Sequence, residues 1–231
     1  MNRKEIFSEG EFYHLYNRGV EKRDIFSNNA DHRRWLSILE DFNDEAPAEH
    51  ISKRLNSEVA PRNLDERKRE EKTPLVDILA YCLVPNHYHL LVHERRGGGI
   101  VEFMRKIGTG YTMYFNKKYE RVGPLFQGRF KSAHIVRSEY FQYIPHYIHL
   151  NALDALSPGW KNRGGTPEDI QKIESYSWSS AKAYLDPAVK DEILNKELVR
   201  DVFGEQKEYR EQLTEILSSK DNLVPRCDLG I

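Results

Sequence analysis

Hydrophobic and polar positions divide the chain into alternating, helical and unpatterned stretches. Residues 11–20, EFYHLYNRGV, alternate and are rich in aromatics, which predicts a strand ending at Gly19. Residues 29–43 place Trp35, Leu36, Leu39 and Phe42 at helical spacing. Residues 46–73 are polar and charge-mixed without a period, and read as a surface insertion. Two apolar runs, 75–85 and 87–94, meet at the turn pair Pro85-Asn86 and predict adjacent antiparallel strands. Ile100, Phe103, Met104, Ile107, Tyr111, Tyr114 and Phe115 mark one face of a helix. Gly108 and Gly110 weaken its middle, each by about 1 kcal/mol against Ala. A turn-rich loop over 121–128 leads to a fourth strand over 129–137. Ser138 is placed to cap a helix over 139–153, in which Pro145 forms a kink or marks the effective start.

The resulting order, β-α-β-β-α-β-α, is that of an α+β protein of the ferredoxin-like, split βαβ type, with an antiparallel sheet and one extra helix. From about residue 158 the texture changes to a linker-like stretch, a short aromatic segment (SYSWSSAKAYL) and an amphipathic helix over 197–219. The expected organisation is a main α+β unit over 1–157 followed by a helical extension over 158–231. No internal repeat is visible.

Composition narrows the class. Hydrophobic residues make up 39% and charged residues 31% of the 231, enough for a globular core. No apolar run approaches the roughly 18 residues of a membrane span. The first residues lack an apolar signal-peptide core. Cys82 and Cys227 form no disulfide framework, and Cys82 reads as a small buried hydrophobe, so a reducing cytoplasm is the expected compartment. The net charge of −1 is unevenly spread. Between Arg105 and Arg137 lie eight basic residues and one acid, leaving the remainder at −8. Such a block is a candidate polyanion surface, and solvated helix and loop side chains are the plainer alternative.

The candidate chemistry lies in YCLVPNHYHLLVHE, residues 81–94. Side chains i and i+2 of a strand share a face, about 6.6 Å apart along the chain, so the imidazoles of His87 and His89 can converge on one metal ion. His93 shares that face but lies about 13 Å from His89, too far to complete a chelate. A divalent ion of the hard or borderline kind needs oxygen ligands as well. In the helix over 139–153, Tyr140, Ile144, Tyr147 and Asn151 share a face, and Tyr147 and Asn151 are one turn apart. Periodicity alone leaves Tyr111, Tyr114 and Tyr147 as equal candidates for a functional tyrosine.

Four segments resemble a known family. VPNHYHLLV resembles the HUH motif of single-tyrosine insertion-sequence transposases (IS200-like). YHLYNRGVEKRDIF, NKKYERVGPLFQGRFKS and YIHLNA are similar, in order and spacing, to segments of the REP-associated tyrosine transposases, stand-alone bacterial relatives of that group. The resemblance runs from about residue 11 to 156. It implies that Tyr147 is the nucleophile, that His87, His89 and Asn151 hold a divalent ion (Mg²⁺ or Mn²⁺), and that Tyr111 and Tyr114 pack in the core. Two features depart from the family pattern: Ala152 and Asp154 stand where Pro and Arg are common, and Pro145 lies two residues before Tyr147.

The activity so implied is DNA nicking and rejoining, as in DNA transposition or REP-hairpin processing. Tyrosine attacks a DNA phosphodiester to give a 5′-phosphotyrosine, a covalent intermediate that a later 3′-hydroxyl reverses. A tyrosine hydroxyl ionises near pH 10, so a nearby positive charge would aid it; His149 and His134 are weak candidates for a general base. The implied partner is single-stranded or hairpin DNA, bound by a monomer or homodimer in a bacterial, nucleoid-associated setting. Arg105, Lys106, Lys117, Lys118, Arg121, Arg129 and Lys131 are the candidate phosphate contacts. Phe126 and Phe130 are candidates for base stacking, with core packing the stronger reading. A catalytically inert hairpin-binding protein and a His-metal phosphoesterase without a covalent tyrosine are the rival functions.

Overall fold

The structure, a computed structural model, describes residues 6–47, 72–136, 141–204 and 206–218. Most of the charged insertion, the Ser138 cap, Arg137, Tyr140 and Cys227 lie outside the described residues.

Four strands form one antiparallel sheet: β1 (Phe12–Arg18), β2 (Val76–Val84), β3 (His87–Glu94) and β4 (Lys131–Ile135), in the order β2-β3-β1-β4. That order, with every neighbour antiparallel, is the split βαβ arrangement expected from the sequence. Two helices, α1 (Asn29–Asp41) and α2 (Gly99–Lys118), connect its halves. Asn28 caps α1 through its side-chain oxygen, which accepts from the N–H groups of Ala30 and Asp31.

The two sheet faces have different tasks. Tyr88, Leu90 and Val92 point towards α1 and α2; the ring of Trp35 lies 4.6 Å from that of Tyr88 and 4.8 Å from that of Tyr111. The helix α2 runs unbroken through Gly108 and Gly110. A Cβ on Gly110 would stand 3.3 Å from Phe42 Cζ, so glycine there admits the close approach of α1's end. The buried stripe from Ile100 to Phe115 outweighs the glycine cost, since each buried side chain of that size contributes roughly 1.5–3 kcal/mol. Tyr111 and Tyr114 belong to this face: the Tyr111 hydroxyl donates to Ile25 O and the Tyr114 hydroxyl to the Asp31 carboxylate.

The opposite face carries Phe12, His14, Tyr16, His87 and His89 and is covered by short helices. The predicted helix over 139–153 is divided. A 3₁₀ turn (Phe141–Tyr143) leads into α3 (Ile144–Leu150), and α4 (Ala152–Leu156) follows. Pro145 sits in the first turn of α3, where its missing N–H costs nothing, so it marks a start instead of a kink.

Helices α5 (Trp160–Arg163), α6 (Pro167–Ser175), α7 (Ala181–Leu185), α8 (Lys196–Phe203) and α9 (Gln206–Ser218) complete the described residues. The single helix expected over 197–219 is therefore two. Gly204, at φ +77°, adopts a conformation open to glycine and ends α8. These segments also cover the outer edge of β2. Leu83 N–H donates to Trp178 O, Ser180 N–H to Tyr81 O and Asn195 N–H to Ile78 O, each at 2.9–3.0 Å, which satisfies an edge that would otherwise be open.

Candidate active site

The site is built from three strands' worth of register and one short helix. In the β1–β3 ladder Tyr16 lies opposite His89 and Arg18 opposite His87. His14, also on β1, is diagonal to His89, and its Nε2 is 2.8 Å from His89 Nδ1. Their rings are nearly parallel, 5.0 Å apart. His87 and His89 are edge to face at the same centroid separation, so the i, i+2 spacing does bring both imidazoles to one place. His93 is elsewhere, bonded through Nδ1 to Asp77 at 2.9 Å in a cluster with Arg95 and Asn195.

From above, α3 lowers the half-buried Tyr147 onto this face. Its ring meets those of His14 and His89 edge-on at 5.7 and 6.0 Å. Tyr147 thus reaches the histidines of its own chain. Asn151, at the α3–α4 junction, folds its amide nitrogen back onto Tyr147 O at 2.7 Å and Ile148 O at 3.3 Å. The underside of α3 is held by the C-terminal helices. His149 bonds to the Tyr209 hydroxyl at 2.6 Å and to Ser180 Oγ at 2.7 Å, and His146 stacks on the Tyr209 ring at 4.1 Å. With both ring nitrogens engaged there, His149 is a support for the helix and not a base beside Tyr147. His134 is likewise remote, bonded to Glu11 on the sheet's edge.

Burial keeps these imidazoles neutral. It pushes His14 down to about 3 and His87 down to about 4, and holds His89 well below the ordinary imidazole range. The charges of Arg18 and Lys161 act on His87 and His89 in the same direction. Asp154, at a position where the family resemblance leads one to expect Arg, bonds to Trp160 Nε1 at 2.9 Å and Lys161 Nζ at 3.1 Å, and so ties α4 to α5.

The donor set fits a divalent cation. The Asn86 side-chain oxygen can only accept, so His87 Nδ1 carries the proton of their 2.6 Å bond and its Nε2 carries the lone pair. His89 Nε2 is buried without a hydrogen-bond partner among the described residues. Among the described residues no three His, Cys, Asp or Glu side chains form a metal site.

The basic residues divide. Arg129 and Lys131 line a small pocket with Tyr16, Arg18 and Gln127, directly beside the histidine pair in the β1–β3 register. Lys131 Nζ stands 5.7 Å above the Tyr16 ring. Arg105 and Lys117 are exposed on α2, the helix of the other face. Arg121 bonds to Asn116, and Lys118 is paired at 2.6 Å with the buried Asp31 carboxylate. Lys106 is a correction. It is 3% exposed, and its ammonium donates to Asp44 O and Ala46 O and pairs with Glu102 at 2.9 Å. It has no face to offer a phosphate. Lys106→Met is accordingly expected to cost about 2–3 kcal/mol in urea unfolding, because buried acceptors lose a charged donor. Phe126 and Phe130 also turn inward, Phe126 against Trp35 and Tyr88 and Phe130 against Phe7.

Three site residues escaped the sequence reading: His14, Tyr16 and Arg18. Their signal was present in the alternation of HLYNR, but the partner strand was needed to align them with His87 and His89.

The fold and site together define an α+β protein in which two strand histidines face a tyrosine from a covering helix. Residues 49–151, which include all four of Tyr147, His87, His89 and Asn151, match the model of the family described as Transposase IS200 like. Among solved structures, one described as a REP-associated tyrosine transposase bound to a REP hairpin is similar at 12% identity and a TM-score of 0.48, over 83% of this chain and 89% of that one. Among curated proteins no sequence matches.

Proposed function

We propose that this chain nicks and rejoins single-stranded or hairpin DNA through a covalent 5′-phosphotyrosine on Tyr147. The observation that carries the reading is the edge-on seating of Tyr147 over the buried His14–His89 pair, with Tyr147 and His89 inside the region that matches the IS200-like family.

Tyr147 attacks phosphorus in line. The bond from phosphorus to the 3′-oxygen breaks, a bond to the tyrosine oxygen forms, and the tyrosine proton departs as the 3′-oxygen takes one up. The strand's 3′-hydroxyl, or another, later reverses the exchange, so no nucleotide cofactor is consumed. His87 and His89, through Nε2, and Asn151, through the oxygen of its helix-tethered amide, would hold Mg²⁺ or Mn²⁺; when bound, the cation polarises a phosphate oxygen and favours the ionised tyrosine. Burial under α3 excludes water from the imidazoles and keeps them neutral, the state that can donate a lone pair. Arg18, Arg129 and Lys131 lie where the flanking phosphates would pass, with Tyr16 at the same wall.

The test is incubation with end-labelled hairpin DNA and Mg²⁺ or Mn²⁺, reading a protein–DNA adduct that survives SDS. A subsidiary result is expected from the groove. Arg18→Ala and Lys131→Ala each lower the slope of log affinity against log salt by about one, as loss of one phosphate contact does. Anisotropy titrations across a KCl series measure it, and an unchanged slope removes that residue from the DNA path.

A further inference from the structure

Resting on the divalent-cation reading above, we infer that His14 is a positioning residue that accepts the Nδ1 proton of His89 and so holds the His89 Nε2 lone pair towards the cation. The geometry supplies the reason. His89 has two ring nitrogens, and the 2.8 Å bond to His14 Nε2 consumes Nδ1. One of these two nitrogens must carry the shared proton. If His14 donated it, neutral His89 would carry its own proton on Nε2 and could bind no cation there. If His89 donates, Nε2 bears a lone pair, matching His87, whose bond to Asn86 already sets the same tautomer. The two histidines of the strand are then oriented alike by different partners, an adjacent amide for one and a facing imidazole for the other. A ligating imidazole whose second nitrogen is held in this way is both fixed in orientation and more basic.

The surroundings fit this role. His14 and His89 are fully buried, so no water competes for either end of the bond. His14 stacks on Tyr16 at 5.2 Å, which with the His89 stacking fixes its ring plane. Among the described residues His14 Nδ1 is buried without a partner, and the bond to His89 is the hydrogen bond that its ring makes there. A buried polar ring held at one end suits a task at that end more than a packing role that an apolar side chain would fill at lower cost.

The experiment measures Mn²⁺ affinity by electron paramagnetic resonance in the DNA-free protein, with thermal unfolding of each variant as a check of folding. His14→Phe preserves ring and volume but cannot accept, and is expected to weaken Mn²⁺ binding about 10–100-fold. His14→Gln, whose amide oxygen can accept from His89, is expected to recover most of it; a purely structural role would not rank the isosteric ring below the amide. His14→Phe binding Mn²⁺ like the wild type, while His87→Ala loses it, overturns the inference and spares the cation site. Mn²⁺ binding indifferent to His87→Ala overturns the cation reading itself. Should His14→Phe fail to fold, long-range ¹H–¹⁵N spectra of the wild type decide: a protonated Nδ1 and bare Nε2 on His89 support the assignment, and a protonated Nε2 sinks it.

Discussion

Tyr147→Phe is expected to abolish the SDS-resistant DNA adduct and to lower strand cleavage by roughly four orders of magnitude or more, the scale seen when a covalent enzyme loses its nucleophile. The substitution is well controlled by its surroundings. Phenylalanine keeps the edge-on ring contacts at 5.7 and 6.0 Å to His14 and His89, so folding stability should stay within about 1 kcal/mol and hairpin binding should persist. Tyr111→Phe and Tyr114→Phe act on the opposite sheet face, where those hydroxyls bond to Ile25 O and Asp31, and should leave the adduct intact. Cleavage that survives Tyr147→Phe without any adduct would instead identify a phosphoesterase. Binding with neither cleavage nor adduct in the wild type would identify an inert hairpin reader.

The second large effect is on stability. His14, His87, His89, His146 and His149 are all held neutral by burial, with His87 and His146 pushed down to about 4 and His14 to about 3. The unfolded chain takes up these protons below pH ~6.5, and the folded chain does not until about pH 4 or lower. Protons bound in the unfolded state therefore exceed those in the native state across that window. Stability is fully present above pH ~6.5 and is lost as pH falls, by about 1.4 kcal/mol per pH unit for each such histidine. Five acting together remove up to about 14 kcal/mol within two pH units, comparable to the roughly 5–15 kcal/mol that a domain possesses. The metal-free protein should lose its near-ultraviolet circular dichroism cooperatively between about pH 6 and 4. A native spectrum retained at pH 4 would show that these imidazoles do protonate in the fold.

The support of α3 explains why the region after residue 157 cannot be read as an appendage alone. Tyr209, on α9, touches both His146 and His149, the residues that flank Tyr147 on either side, and Trp178, Ser180 and Asn195 close the edge of β2. None of this was legible in sequence. SYSWSSAKAYL displays aromatic residues and small polar ones but not the strand they join, because the backbone bonds of an edge strand carry no side-chain pattern. Lys106 shows the same limit from the other side. As one of eight basic residues in a run it looked like a phosphate contact; the carbonyls of Asp44 and Ala46 that accept from it come from the chain just beyond α1. A charge run states where charges lie along a chain, and burial depends on what packs over them.

Local order was determined by the sequence itself. Period-two and period-3.6 patterns gave the four strands and the two long helices, and the strand rise alone placed His87 and His89 together and excluded His93. These are properties of neighbouring residues, set by backbone geometry. The tertiary structure decided which distant residues join them. Pairing β1 beside β3 brought His14 onto His89, Tyr16 opposite it and Arg18 opposite His87, and the seating of α3 brought Tyr147 to the same place from 58 positions along the chain. Register and helix docking arise from burial summed over the whole core, and no single stretch of sequence contains that sum.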